Sequence, residues 1–206
     1  MQRLGNFKLP QFFNFPPFFT LQPVKETREK QVQVWKQLLL DYCRSQKIFV
    51  IGLEEDFPLF SNPVIENFEK YFNEKLCDGL LGSLSHEARE VFLSALISEG
   101  HAEWMDKDHR KCLMLWFRLQ EWADYILNFV KDNGLQDGVM TIEEMRSGTE
   151  THGTADTLHA TFSIIQELAG IDRGLLLRVL RLLEQKGKAT IFKGTSADDD
   201  GVKFSV

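Results

Sequence analysis

The sequence predicts an α+β fold, mainly helical, in which one small unit is built twice in tandem behind an extended arm rich in proline and phenylalanine. Three observations predict it. A capped apolar helix with a glycine stop recurs at an offset of 87 residues, each copy leads into a pair of short strands, and the first 23 residues differ in composition from the rest. The expected boundaries are 1–23 for the arm, 24–118 for the first unit and 119–206 for the second.

The arm holds six of the seventeen phenylalanines (Phe7, Phe12, Phe13, Phe15, Phe18, Phe19) and four of the six prolines. Proline removes backbone donors and favours extended or polyproline conformations, so Phe15-Pro16-Pro17-Phe18-Phe19 reads as extended rather than as a helix or central strand. Two fates are open to such an arm. It caps its own core, or it docks into a pocket on another chain, because adjacent large apolar groups would otherwise form a patch that soluble monomers avoid.

In the first unit, Thr27 is the expected cap of a helix whose Val34, Trp35, Leu38, Leu39, Tyr42 and Cys43 recur at spacings of three and four. Lys47 to Ile51 reads as a short strand. Asn62-Pro63 opens a helix through Ile65, Phe68, Phe72 and Leu76, ending near Gly79. Ser85 caps the next, with Ala88, Phe92, Ala95 and Leu96 facing inward and Gly100 as the stop. Ala102–Met105 and Cys112–Phe117 then flank a charged turn as a hairpin.

The second unit repeats the plan. Trp122, Ile126, Phe129 and Val130 mark a helix, Val139-Met140 a strand, and Thr141 with Glu144 a capping box. Leu158, Phe162, Ile165 and Leu168 suggest a further helix beyond a polar loop, 147–157. Asp172 caps a helix with Leu176, Val179, Leu180 and Leu183 inward, Gly187 ends it, and strands at 189–192 and 202–204 close the chain. Helices, a capped third helix and a two-stranded wing make up the winged-helix variant of the helix-turn-helix, so two tandem winged helices are expected.

Length and composition agree with that reading. At roughly 150 residues per domain, 206 residues suit one or two domains. With 43% apolar and 26% charged residues the chain is neither disordered, collagen-like nor a disulfide scaffold. Its apolar runs fall far short of the roughly 20 residues of a membrane span, and Met1-Gln2-Arg3-Leu4 resembles no signal or lipidation motif, so a cytoplasmic protein is expected. Cys43, Cys77 and Cys112, with no C-x-x-C pair, suit buried thiols in a reducing compartment.

Winged helices often bind DNA, and the charges test that alternative. The net charge of −6 has the wrong sign for phosphate. The helix at 85–99 is acidic, whereas 172–188 carries five basic residues, Arg173, Arg178, Arg181, Lys186 and Lys188, against Asp172 and Glu184. Its wing, however, contains Asp198-Asp199-Asp200, where a DNA-reading wing would meet the backbone. A basic helix facing protein or solvent is the better expectation, with no nucleic acid partner.

Catalytic and metal motifs are missing. Gly187-Lys188 lacks the upstream glycine of a phosphate loop, and no G-x-S-x-G or H-E-x-x-H occurs. Asp106, Asp108, His109 and Cys112 lie around a tight charged turn, and Asp198-Asp199-Asp200-Gly201 lacks the alternating ligands of a calcium loop. His152 and His159 read as surface residues of the polar segment. Neither an enzyme, a cofactor nor a metal is expected.

Pro16-Pro17-Phe18-Phe19-Thr20-Leu21-Gln22-Pro23, with Thr27-Arg28 and the Trp35 helix after it, resembles the family of small subunits of the ESCRT-II complex. The resemblance runs on through Pro58-Leu59-Phe60-Ser61-Asn62, Glu103-Trp104-Met105-Asp106, Glu121-Trp122 and Gly201-Val202-Lys203-Phe204. It implies two tandem winged helices used for protein contacts. It also implies a Y-shaped complex of two copies of this chain with one each of two larger subunits, proteins 22 and 36, sorting ubiquitinated cargo into multivesicular endosomes. Membrane contact would be indirect, through the complex on the endosome. The family's proline-proline-aromatic arm enters a pocket on each larger subunit, and the motif falls here on Pro16, Pro17, Phe18 and Phe19, with Phe15 beside it. The second winged helix of the family recruits ESCRT-III subunit protein 20, for which Arg178, Arg181, Lys186 and Lys188 are the candidate surface. The segment from Gly148 to Gly170 departs from the family pattern in looking longer.

Overall fold

A computed structural model of the chain describes residues 2–65, 82–132, 134–136, 138–147, 168, 170–194 and 200–205. It is a mixed helix and sheet structure, about half helical, and it divides into two compact units, 1–116 and 117–206.

The first unit opens on a two-residue hairpin, β1 (Arg3–Leu4) and β2 (Phe7–Lys8), followed by two 3-10 turns at Gln11–Asn14 and Pro16–Phe18. Helix α1 (Lys25–Gln46) leads to β3 (Val50–Gly52), and helix α2 (His86–Ser98) to β4 (Ala102–Trp104) and β5 (Lys111–Met114). The three strands form an antiparallel sheet in the order β3-β5-β4, with Ile51 opposite Cys112 and Trp104 opposite Cys112 on its other side. Trp35, Leu39, Cys43, Phe92, Leu93, Leu96 and Met114 are buried in the core.

The second unit follows the same plan. Helix α3 (Leu119–Asp132), β6 (Val139–Thr141), the short helix α4 (Ile142–Ser147), α5 (Arg173–Gln185), β7 (Ala189–Phe192) and β8 (Gly201–Phe204) succeed one another, and the sheet order is β6-β8-β7. Trp122, Ile126, Val130, Leu175, Leu176, Val179, Leu183, Val202 and Phe204 fill the core. Leu168 is buried too, while Leu158, Phe162, Ile165, His152 and His159 lie outside the described residues, as do Phe68, Phe72, Leu76, Asp198 and Asp199.

Local chemistry places the helix ends where the sequence puts them. Ser85 accepts the Ala88 N–H at 3.2 Å, and 87 residues later Asp172 accepts the Leu175 N–H at 2.9 Å. Thr141 and Glu144 close a reciprocal capping box at 2.7 and 3.0 Å. Gly100 (φ +78°) and Gly187 (φ +67°) take the left-handed conformation that follows a helix, a position where a Cβ would be strained. The bonds just past the two glycines also match: His101 N–H reaches Leu96 O at 3.0 Å, and Lys188 N–H reaches Leu183 O at 2.9 Å.

Three expectations are corrected. Val24, not Thr27, precedes the first residue of α1, and Thr27 sits in its first turn. The strand expected at Lys47–Ile51 begins only at Val50, because Lys47 (φ +54°) and Ile48 finish the helix, Ile48 N–H bonding Cys43 O at 2.8 Å. The hairpin strand expected to run to Phe117 stops at Met114, and Trp116 turns out of it at φ +56°.

The buried thiols give a testable property of this core. Cys43 and Cys112 are both inaccessible; burial pushes the Cys112 thiol up to about 12 and Cys43 higher still, with Cys112 adding to the shift of Cys43. Because both groups are held protonated in the folded chain, their contribution to stability is present below pH about 9 and is lost as pH rises above it. Site-resolved mass spectrometry after alkylation at pH 8 is expected to find both thiols unmodified until urea unfolds the chain. Rapid labelling of either in the folded protein would contradict this packing.

Candidate functional site

The prolines of the amino-terminal segment do not keep it extended. Pro16 and Pro17 occupy the first two positions of a 3-10 turn, where a fixed φ is already helical and a missing N–H costs nothing. Phe18 N–H donates to Phe15 O at 3.0 Å and Phe19 N–H to Pro16 O at 2.9 Å. The expected extended arm is therefore corrected to a chain of turns folded onto the first unit.

Folding divides its aromatic rings into two sets. Phe13 and Phe19 are 1% and 2% exposed and meet the fully buried Trp35 edge-on, at 6.2 and 5.5 Å between ring centroids. Trp35 also stacks on Phe92 of α2 at 5.3 Å, so the segment is pinned to the core through one indole. Phe15, by contrast, is 58% exposed. It stands 6.4 Å from Phe18, which in turn leans on Phe12 at 4.7 Å, and Phe12, Pro16 and Phe18 are half-buried while Pro17 is exposed. Phe15, Pro17 and Phe18 form an apolar ridge.

A cavity of about 320 Å³ runs beside the ridge, lined by Phe15, Pro17 and Phe18 on one side and by Thr27, Lys30, Gln31 and Val34 of α1 on the other. Side-chain amides fix its position. Gln31 donates to the carbonyls of Pro17, Phe18 and Thr20 at 3.3, 3.0 and 2.9 Å, and Trp35 Nε1 donates to Phe18 O at 2.8 Å. Asn62, fully buried, donates to Phe13 O at 2.7 Å while its Oδ1 accepts the Val64 N–H of the helical turn beginning at 63.

Of the five residues expected to reach a partner, four remain available. Phe19 does not: it is spent on the core of its own chain. Gln31 and Asn62 were invisible to sequence reasoning, the first because it lies within an otherwise unremarkable helix, the second because it reads only as a helix cap.

In the second unit, Arg178 is half-buried and Arg181 exposed on α5, and Lys186 and Lys188, exposed, follow its end before β7. Lys186 Nζ contacts Gln120 Oε1. Arg173 is held by Asp200 at 3.6 Å, so part of the acidic wing is turned onto the start of the basic helix. No cluster of three or more metal-ligating side chains occurs among the described residues, and none of their helices is long and apolar enough to cross a membrane.

A family model described as ESCRT-II complex subunit matches residues 12–159. The chain belongs to that family, a class of complex-forming subunits. Vacuolar protein sorting-associated protein 25 of Arabidopsis thaliana is 63% identical over 206 residues, all of both chains. The Xenopus laevis protein of the same name is 37% identical over 96% of this chain and 98% of its own. The crystal structure of subunit VPS25 of the endosomal trafficking complex ESCRT-II shares the fold, with a TM-score of 0.70 at 24% identity over 95% of this chain and 98% of that one. A chain of the crystal structure of the endosomal complex ESCRT-II (VPS22/VPS25/VPS36) superposes with a TM-score of 0.66 at 23% identity, over 96% of this chain and 98% of that one.

The division of the rings predicts unequal effects on stability. Phe19→Ala empties a closed aromatic cluster and is expected to cost about 3–5 kcal/mol in urea unfolding, whereas Phe15→Ala falls within about 0.5 kcal/mol of the parent. Equal losses in the two variants would contradict the division.

Proposed function

We propose that this chain is a non-enzymatic scaffold subunit of an ESCRT-II complex, made of two tandem winged-helix domains that serve protein contacts. It assembles with two larger subunits corresponding to VPS22 and VPS36, two copies of this chain per complex. Its second domain recruits ESCRT-III through subunit protein 20, and the complex sorts ubiquitinated cargo into multivesicular endosomes. The chain is cytoplasmic and reaches the endosomal membrane through the complex.

The observation that carries the reading is the Phe15–Pro17–Phe18 ridge, in which Phe15 and Pro17 are exposed and Phe18 half-buried, in a member of a complex-forming family. Burying a fully exposed phenylalanine removes roughly 150 Å² or more from water, at about 25 cal/mol per Å², so the exposed parts of Phe15 and Phe18 together offer about 2–4 kcal/mol before ordering costs. Phe15, Pro16, Pro17 and Phe18 are the contact residues in this reading; Phe19 anchors the ridge from behind. The element order supports the winged helices: in each unit a helix capped at Ser85 or Asp172 enters a hairpin whose second strand is central to the sheet.

Co-expression with both larger subunits is expected to yield a complex whose native mass contains two copies of this chain. The pair Phe15→Ala and Phe18→Ala is expected to weaken that assembly about 100-fold or more, without unfolding either unit. Undiminished co-purification would remove the ridge from the interface. Independently, Arg178→Glu with Arg181→Glu is expected to weaken capture of protein 20 about ten-fold while leaving ESCRT-II assembly intact. Unaltered capture would place the ESCRT-III contact on another face.

A further inference from the structure

Gln31, Lys36 and Asn62 are the buried polar side chains among the described residues. Lys36 is paired with Glu99, and Asn62 caps a helical turn as well as holding Phe13 O. Gln31 is different. Its Oε1 accepts the Gln22 N–H at 3.1 Å and its Nε2 faces the carbonyls of Pro17, Phe18 and Thr20, so its partners lie between residues 17 and 22.

Helix packing alone does not call for an amide at this position. Gln31 is 4% exposed and one turn before Trp35 on the same face of α1, where an apolar side chain would fill the space without the cost of burying a polar group. The amide is needed by the segment opposite. The carbonyls of a Pro-Pro turn have no sheet ladder to bond, and two amide hydrogens are shared here among three of them. Gln22 Nε2 reinforces the same point, bonding Pro17 O and Thr20 O at 2.8 and 2.9 Å.

We propose that Gln31 is a positioning residue for partner docking: its buried amide locks the Pro17–Thr20 backbone, so that Phe15 and Phe18 meet a partner as a preformed ridge rather than as a segment that folds on contact. The inference rests on the reading of that ridge as the docking surface. A binding element populated only in part binds more weakly by the fraction that is competent. Loss of the lock therefore lowers the association rate, while the contacts that set dissociation, made by the rings themselves, are unchanged.

The test measures association and dissociation of the full-length chain on an immobilised, co-expressed VPS22–VPS36 pair. Gln31→Met keeps the side-chain length and removes the amide. Its Kd is expected to rise about ten-fold, with the change in the association rate and the dissociation rate within about two-fold of the parent. Gln22→Met leaves the aromatic core untouched and deletes the Nε2 donors to Pro17 O and Thr20 O, and is expected to slow association about two- to five-fold. The second variant decides the matter if the first fails to fold by near-ultraviolet circular dichroism. Association rates equal to the parent in the folded variants overturn the positioning role, as does a loss confined to faster dissociation. Phe18→Ala separates this failure from that of the underlying reading: parent-like binding of Phe18→Ala overturns the ridge itself, whereas its loss of binding beside an unaffected Gln31→Met overturns only the lock.

Discussion

Trp35 is the contact on which the first unit depends. Its ring joins two parts of the chain that the sequence separates by more than seventy residues: Phe92 of α2 stacks on it, and Phe13 and Phe19 of the amino-terminal turns meet it edge-on. Its indole N–H then fixes Phe18 O, so one side chain supplies both the apolar anchor and a polar tie. Aromatic packing of this kind has a preferred geometry as well as an area, and this is why the segment takes one position rather than sliding over α1.

The consequence is a division of labour within a few residues. A run of five residues with three phenylalanines and two prolines would be a liability if all of it faced water, and useless for recognition if all of it faced the core. The 3-10 turn at Pro16–Phe18 resolves this by sending Phe19 inward and Phe15 outward, and the two amides of Gln31 and Asn62 satisfy backbone carbonyls that the prolines leave without a regular partner.

What was legible in the sequence was local. Ser85, Asp172, the Thr141–Glu144 box, Gly100 and Gly187 act within one helical turn, and each is found where its spacing places it. The repeat at 87 residues was legible for the same reason, since α2 and α5 are both 13 residues long and share their entry bonds and the bonds made at and just past the glycine. The conformation of the amino-terminal segment was not legible. Its decisive partners, Trp35, Gln31 and Asn62, lie 9 to 49 residues from the groups they hold, and a proline pair is compatible with both an extended strand and the first turn of a helix. The expected cap at Thr27 failed on a different ground: a good cap residue was present, but the chain had already turned helical at Lys25.

Hydrogen exchange of the isolated full-length chain, resolved to single amides, tests the folded ridge most directly. The amides of Phe18, Phe19 and Gln22 donate to Phe15 O, Pro16 O and Gln31 Oε1 in the absence of any partner. They are therefore expected to exchange about ten-fold or more slowly than the same residues in a free peptide covering positions 11–24. Exchange at peptide rates would mean that the segment is an open arm until a partner orders it.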